Sequence, residues 1–185
     1  MAYNFSLFGD GHSFDRVVSK EGTEFIARFE DFVDHWYEDG VWKSGPKKGE
    51  PKYSCCYGHL EGGENWPFVY DPNQTFTHDE GIAIFQSDLE SKAKYVRSKV
   101  KVPINTFMFN ALISLVFNYG EGNIDNDKDG NARNLIWPAL NVERYVQACA
   151  EFRHFNMQGG KEINGLIIRR GCEMALFSTK IMKPT

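Results

Sequence analysis

The sequence has no excess of positive charge. Lys and Arg together number 21 against 25 for Asp and Glu, which gives a formal net charge of -4. The whole surface therefore cannot capture a polyanion electrostatically, and binding of nucleic acid without sequence specificity is disfavoured. We expect no nucleic-acid partner.

Long hydrophobic runs are also missing. The most apolar segment, from Ala111 to Phe117, is interrupted by Ser114 and falls short of the length that a membrane span needs. The first residues, MAYNFSLFGDGHSF, have neither the basic region nor the apolar region of a secretory signal. We therefore expect neither a membrane segment nor export by a signal peptide.

Cysteine is scarce, and its four residues form no C-x-x-C pair. Two of them are adjacent in YSCCYGHL, Tyr53 to Leu60, where three readings compete: a metal site, a redox pair, or a strand whose chemistry lies in its other residues. Neighbouring side chains leave a strand on opposite faces, and His59 is the one nearby candidate for a further zinc ligand. We favour the strand, with reduced cysteines that serve as packing residues.

Aromatic residues are abundant, at 15% of the chain. Phe25, Phe29, Phe32, Val33 and Trp36 recur at helical spacing, which predicts a helix of about 14 residues from Glu24, ended by Gly40. Residues 37–60 favour a hairpin or small sheet with a charged loop. Further helices are predicted from the Thr77–Glu80 capping box to about Val100, from 105 to 119, around 134–153 and over 163–178.

Two carboxylates and a hydroxyl group form the most suggestive chemical set. Glu30 falls late in the first predicted helix, Asp39 lies nine positions later, and Ser54 follows on the predicted strand. Such a set suits cleavage of a glycosidic bond, in which a protonated acid donates to the leaving oxygen and an ionised partner orders a water or attacks.

Five segments resemble, in order, the landmarks of the phage-type lysozymes, the endolysins of glycoside hydrolase family 24. They are FEDFVDHWYEDG, YSCCYGHL, FTHDEGIAIFQSDL, FNALISLVFNYGEG and GLIIRRGCEMALF, and they span about residues 24–178. The resemblance implies an α+β fold, with a small hairpin lobe (about 37–76) and a helical lobe (about 77–180) joined by a long helix around a cleft. It leaves residues 1–22 as an N-terminal arm before a catalytic domain of 23–180.

The resemblance also implies residue roles. Glu30 is similar to the general acid, Asp39 to the carboxylate that positions or activates water, and Ser54 stands where the family usually has Thr. His59 and Asp88 correspond to a structural ion pair, while Leu60, Phe117 and Asn118 correspond to residues that touch the sugar. Lys161 is a weaker candidate, as a cation near the acid. Arg169, Arg170 and Glu173 fit a charge cluster within one helix.

One acidic loop matches the front half of a calcium site. Asp125, Asp127 and Asp129 precede Gly130 in the D-x-D-x-D-G pattern, but Ile136 occupies the twelfth position, where a bidentate Glu belongs. A calcium ion would have to recruit Glu121 or another carboxylate. We favour an unliganded acidic turn and expect neither a metal nor a cofactor.

These features imply a monomeric muramidase that cuts the β-1,4 bond between N-acetylmuramic acid and N-acetylglucosamine in peptidoglycan. A lytic transglycosylase, which needs the acid alone, and a non-catalytic protein of wall binding or assembly are the alternatives. Without its own export signal, the enzyme would leave the host cytoplasm through a holin lesion, or within a virion or secretion apparatus, and act on the wall in the periplasm. The arm is a candidate docking element for a delivery partner.

Overall fold

The computed structural model describes residues 17–62, 70–126 and 135–179, without the side chains of Asp125 and Asn126. Within these ranges the chain divides into two compact units. The sheet unit is Thr23–Glu90, and the helical unit combines the residues up to Gly22 with those from Ser91 onward. The predicted α+β class is confirmed.

The elements in chain order are α1 (Lys20–Ala27), β1 (Val33–Val41), β2 (Pro51–Cys56), β3 (His59–Leu60), α2 (His78–Lys99), α3 (Thr106–Tyr119), α4 (Glu121–Asn126), α5 (Ile136–Asn141), α6 (Tyr145–Glu151), a 3-10 turn (Phe152–His154), β4 (Met157–Gln158), β5 (Lys161–Glu162) and α7 (Asn164–Ser178).

The first predicted helix is wrong in its extent. Helix α1 ends at Ala27, where bonds from Phe29 N to Ile26 O and from Glu30 N to Ala27 O, each 3.1 Å, tighten the chain into a turn. The residues from Val33 onward form strand β1 instead. Gly40 lies inside this strand, in an irregular stretch and with φ of +82°, a conformation that suits glycine, so it does not cap a helix.

The sheet unit holds an antiparallel sheet in the order β1-β2-β3. Tyr37 pairs with Ser54, and Ser54 pairs on its other side with Leu60. Two backbone hydrogen bonds hold together the ends of the Lys-rich loop between β1 and β2. Trp42 N donates to Glu50 O at 3.0 Å, and Gly49 N donates to Trp42 O at 2.9 Å. The loop therefore extends the hairpin connection and leaves the pairing around Ser54 intact.

The adjacent cysteines lie in the core of the sheet unit. Cys55 and Cys56 are both fully buried and unoxidised. Hydrogen bonding to Cys56 and burial raise the pKa of the Cys55 thiol, which makes this group a poor nucleophile. Their interpretation as packing residues is confirmed.

Helix α2 begins as its sequence predicts. Glu80 N donates to Thr77 Oγ1 at 3.3 Å, and Thr77 N donates to Glu80 Oε2 at 2.7 Å, which is the reciprocal capping box. The helix runs for 22 residues, and the division between the two units falls within it. None of the helices within the described ranges is long and apolar enough to cross a membrane.

Helix α3 forms the core of the helical unit. Phe109, Leu112, Ile113, Leu115 and Val116 are all fully buried. The Asn105 side chain caps the start by accepting from Met108 N at 2.9 Å, and the N–H group of Gly120 closes the end on Val116 O. The prediction of a central helix over 105–119 is confirmed, as is the later one, α7, which packs against α3.

Residues 1–16 of the predicted arm lie outside the described residues, but residues 17–22 contact the helical unit. Val18 is buried, and Gly22 N donates to Ser19 Oγ at 3.0 Å. Asn110 of α3 also donates to Ser19 Oγ, at 3.2 Å. Residues 17–22 are therefore folded as part of the helical unit, and the N-terminal arm stays a prediction.

Candidate active site

Asp39 and Ser54 contact each other across the first two strands of the sheet unit. Ser54 Oγ donates to Asp39 Oδ2 at 3.1 Å. The hydroxyl is almost wholly buried, whereas the carboxylate side chain is about half exposed, at 48%. The pairing of Tyr37 with Ser54 explains this contact, because Asp39 is two residues beyond Tyr37 and thus on the same face of β1. Two members of the predicted chemical set, Asp39 and Ser54, are thus in contact.

Lys52 joins this pair, and sequence reasoning missed it. Its Nζ lies 3.1 Å from Asp39 Oδ2, the oxygen that Ser54 also contacts. Lys52 precedes Ser54 by two residues on β2, so period-two alternation places both side chains on one face. The alternation along β2 could have placed Lys52 on the same face as Ser54 from the sequence. The contact between Lys52 and Asp39 could be recognised only once the register of β1 and β2 was known.

The electrostatics favour an ionised Asp39. The hydrogen bond from Lys52 is the largest cause that lowers the pKa of this carboxyl below its ordinary value, and the Ser54 hydroxyl lowers it further. Partial burial acts in the opposite direction but is outweighed. Asp39 is thus suited to act as a carboxylate and not as a proton donor.

Glu30 lies in the turn between α1 and β1 and is half-buried. It is placed there because its N–H group bonds to Ala27 O, which ends the helix three residues earlier. Both candidate carboxylates belong to the sheet unit. Glu30 precedes strand β1, and Asp39 lies within that strand. The role of Glu30 as the acid stays a prediction.

The predicted partners His59 and Asp88 are in contact within the sheet unit. His59 Nδ1 lies 2.9 Å and 3.0 Å from the two carboxylate oxygens of Asp88. The imidazole side chain is 2% exposed and the carboxylate 28% exposed. This contact joins strand β3 to helix α2, which is what the resemblance implied. Leu60, next to His59, pairs with Ser54 and is half-buried.

The predicted sugar contacts Phe117 and Asn118 lie in the last turn of α3, in the helical unit. Phe117 is half-buried and Asn118 is exposed. Arg170 Nη2 donates to Asn118 Oδ1 at 3.1 Å. The amide is thus bonded to helix α7, a contact that local sequence patterns did not predict.

A buried charge cluster supports that contact. Arg169 Nε lies 3.3 Å from Glu173 Oε1, and Arg170 Nε lies 2.7 Å from Glu173 Oε2, the latter as an ion contact and not an aligned hydrogen bond. Ser114 Oγ donates to Glu173 Oε1 at 2.6 Å. Burial raises the pKa of Glu173, while Arg170 and Ser114 act against that rise. The predicted helical charge cluster is confirmed.

Two weaker candidates, Lys161 and the acidic loop, stay predictions. Lys161 is exposed on β5 of the helical unit. Of the suggested calcium ligands, Asp125 lies in α4 with its side chain outside the described residues, as are Asp127 and Asp129 altogether. Glu121, one of the carboxylates that a calcium ion could recruit, is paired with Lys92 at 3.1 Å. In the part of the chain that the structure describes, no three His, Cys, Asp or Glu residues are placed to hold a metal ion.

Comparisons with known proteins identify the family. A family model described as phage lysozyme matches residues 27–173, well over half of the chain, and the chain belongs to that family. The family match therefore covers the five segments that carry the resemblance, up to residue 173 of the last one.

Several curated relatives are endolysins. The chain is 28% identical to the endolysin of Bacillus phage PZA over 88% of this chain and 55% of the relative. It is 26% identical to the endolysin of Acyrthosiphon pisum secondary endosymbiont phage 1, with 88% and 98% covered, and 27% identical to the SAR-endolysin of Enterobacteria phage PA-2, with 83% and 74% covered. The chain spans about half the length of the Bacillus phage relatives that it matches.

Solved structures show the same fold. The muramidase domain of SpmX from Asticaccaulis excentricus aligns with a TM-score of 0.62 at 22% identity, covering 91% of this chain and all of that chain. The endolysin from Escherichia coli O157:H7 phage FAHEc1 aligns with a TM-score of 0.64 at 21% identity, covering 92% and 98%. The predicted lysozyme-like fold is confirmed.

Proposed function

We propose that this chain is a peptidoglycan muramidase that hydrolyses the β-1,4 bond between N-acetylmuramic acid and N-acetylglucosamine. The observation that carries the proposal is the contact of Ser54 and Lys52 with one oxygen of Asp39, in a chain of the phage lysozyme family. This arrangement holds a carboxylate in its ionised form beside a fixed hydroxyl. That pair is suited to binding and activating a water molecule.

The hydroxyl geometry decides how water would bind. Ser54 has a single O–H proton and donates it to Asp39 Oδ2. A water molecule that contacts this serine must therefore donate to the lone pairs of Oγ, and its other proton can be donated to Asp39 Oδ1. The oxygen of such a water retains a lone pair for attack on the anomeric carbon.

The proposed reaction then needs an acid, the role we assign to Glu30. Its proton passes to the glycosidic oxygen as the bond to the anomeric carbon breaks. The water oxygen forms the new bond to that carbon, and Asp39 takes up the released proton. The products are two glycan ends, one of them reducing, and no cofactor is consumed.

Peptidoglycan is the partner that this chemistry requires, and the wall is the place where it would act. Release through a holin lesion, or delivery by a virion or secretion apparatus, remains our expectation for the route. Endolysin and SAR-endolysin relatives support action on the wall.

Product analysis on purified peptidoglycan tests the reaction. Mass spectrometry of the digest should show muropeptides with reducing N-acetylmuramic acid ends. Ends in the 1,6-anhydro form would mean a lytic transglycosylase, which needs no activated water. A complete lack of soluble products from folded protein would favour the binding protein. The hairpin loop gives that alternative no support, because it leaves Ser54 in contact with Asp39.

A further inference from the structure

The loop that joins β1 to β2, residues 42–50, carries a local excess of positive charge. It contains three lysines, Lys43, Lys47 and Lys48, against one carboxylate, Glu50. The chain as a whole has a formal net charge of -4. All three lysines are exposed. These three residues, called the loop lysines below, therefore form a basic patch on an acidic protein.

The backbone of this loop is ordered by its own turns. Lys48 N donates to Gly45 O at 3.2 Å, and Glu50 N donates to Lys47 O at 2.9 Å. These bonds add to the two that hold the ends of the loop together. Gly45 has a φ of +80°, a conformation that glycine adopts at no steric cost. The loop lysines thus project from a preformed turn, which reduces the backbone entropy lost when a partner binds.

The charges of the loop lysines are available to a partner. Lys52, just beyond the loop, is paired with Asp39 at 3.1 Å. Within the residues that the structure describes, no ion pair involves Lys43, Lys47 or Lys48. Each of their ammonium groups offers three donors and no acceptor. The partner that such groups fit is an anion.

The loop adjoins the proposed catalytic carboxylate. Both belong to the sheet unit, and Val41, two residues beyond Asp39, pairs with Pro51 at the base of the loop. Lys43 is four residues beyond Asp39, so their Cα atoms are at most about 14 Å apart even in a fully extended chain. An anion held by the loop would therefore lie beside the glycan strand that is cut.

Peptidoglycan offers anions at that distance. Its N-acetylated glycan is uncharged, whereas the stem peptides that branch from N-acetylmuramic acid carry free carboxylates. A stem is covalently attached to the strand in the site, so its effective concentration at the loop is high once the glycan is bound. Lysine is a compact charge on a flexible side chain and needs no fixed bidentate geometry. It therefore suits carboxylates on a flexible peptide.

We propose that the loop lysines bind free carboxylates of the stem peptides on a glycan strand that occupies the site. The inference rests on the proposed function, because that function makes peptidoglycan the substrate. It adds a recognition surface for the peptide part of the substrate. It also accounts for the approach of an acidic protein to an anionic wall, since charges more than about 10 Å apart are largely screened at 0.1 M ionic strength and local cations dominate.

Co-sedimentation with purified peptidoglycan measures this interaction. Every protein carries Glu30→Gln to avoid turnover, and secondary wall polymers are removed from the peptidoglycan beforehand. Lys47→Gln/Lys48→Gln should raise the dissociation constant about fivefold, as expected for the loss of two exposed ion pairs. The melting temperature should stay at the parental value, because both side chains are exposed.

Lys94→Gln/Lys101→Gln is the matched control. It removes the same two charges from exposed positions of the helical unit. Its dissociation constant should stay within about twofold of the parent, since screening weakens the effect of a distant charge. Equal weakening by the two double variants would overturn the inference, because it would reflect net charge alone.

Modified peptidoglycan tests the chemistry of the partner. Amidation of the stem carboxylates, with acetylation of the free amines, leaves neutral stems. The two double variants should then bind within about twofold of each other. They should also do so on unmodified peptidoglycan at about 1 M salt, where the Debye length falls to about 3 Å. A difference of about fivefold that persists on neutral stems would overturn the inference.

Phosphate-bearing partners would give another result. If Lys47→Gln/Lys48→Gln weakened binding only to walls that retain phosphate polymers, or only to vesicles of anionic phospholipid, the inference would be overturned. A parent that does not bind purified peptidoglycan would overturn it as well. Binding is measured without cleavage, so a failure of the proposed hydrolysis appears in the product analysis. A failure of this inference appears as peptidoglycan binding that is indifferent to the loop lysines.

Discussion

Lys52 Nζ lies 3.1 Å from Asp39 Oδ2, the same oxygen that the Ser54 hydroxyl contacts. The sheet positions this cation two residues before Ser54 on β2, facing the carboxylate on β1. Lys52 is therefore the largest cause that lowers the pKa of Asp39, and Ser54 lowers it further and fixes the position of the carboxylate. Substitution of Lys52 should therefore change mainly the pH dependence of activity, whereas substitution of Ser54 should change mainly kcat.

Replacing Lys52 with Met should shift the acid limb of the activity profile to higher pH. The hydrogen bond from Lys52 lowers the pKa of Asp39, so its loss raises that pKa and leaves less carboxylate ionised at a given acidic pH. Initial rates on purified peptidoglycan across the acidic range measure the shift.

Lys48→Met provides the control for that shift. It removes the same charge from an exposed position of the hairpin loop, so it corrects for weaker attraction to the anionic wall. Identical acid limbs for Lys52→Met and Lys48→Met would contradict the role given to Lys52.

Ser54→Ala should lower kcat while the protein stays folded. The change removes the hydroxyl that fixes Asp39 and the acceptor proposed for water, and misplacement of a reacting group by about 1 Å can cost roughly 100-fold in rate. Ser54→Thr retains the hydroxyl and should keep most of the activity. A Ser54→Ala variant with the parental kcat would rule out any part for this hydroxyl in ordering water.

Some features of the fold were predictable from the sequence alone, and others were not. The capping box at Thr77 and the apolar stretch of α3 were predictable because their signals are local, within one or two helical turns. The extent of α1 was not, since Phe32 and Trp36 continue the helical spacing although Phe32 lies just before β1 and Trp36 lies within it. Phe32 packs so closely on Gly81 that a Cβ atom there would lie 2.5 Å from its ring. That contact is tertiary and has no local signature.

Lys52 was missed for a similar reason. Its closeness to Asp39 depends on the pairing of Tyr37 with Ser54 across the loop of residues 42–50. Nothing in the linear spacing gives that register. The roles predicted for Glu30 and Asn118 rest on the family resemblance, whereas the bond from Arg170 to Asn118 required the packing of α7 on α3.

Asp88→Asn should destabilise the protein with little effect on turnover per folded molecule. It weakens a charged hydrogen bond to the buried His59, which is worth roughly 2 kcal/mol. Urea denaturation measures the free energy of unfolding. The exposed Asp31→Asn variant makes the same chemical change and should cost less than about 0.5 kcal/mol. Parental stability with lost activity would instead assign the His59–Asp88 pair to the chemistry.

Gly22→Ala should destabilise the helical unit. A Cβ atom at Gly22 would lie 2.4 Å from Asn110 Cγ, on a side chain that is buried and bonded to Ser19. Overpacking of this kind costs about 1 to 3 kcal/mol. Thermal or urea unfolding measures the loss.

Gly171→Ala is the opposite case and serves as its control. A Cβ atom there meets nothing within 4 Å, and the residue lies inside α7. Alanine should therefore stabilise the helix by up to about 1 kcal/mol. A Gly22→Ala variant as stable as Gly171→Ala would show that the Ser19–Gly22 segment is not held against α3.

The most direct test of the central claim is the rate at which Glu30→Gln releases reducing ends from purified peptidoglycan, compared with the adjacent Asp31→Asn. Both variants exchange a carboxylate for an amide, but only the first removes the proposed proton donor. Loss of a general acid costs about 100-fold to 10,000-fold, so Glu30→Gln should lose at least that much while Asp31→Asn stays near the parental rate. A folded Glu30→Gln variant that keeps the parental rate would contradict the account.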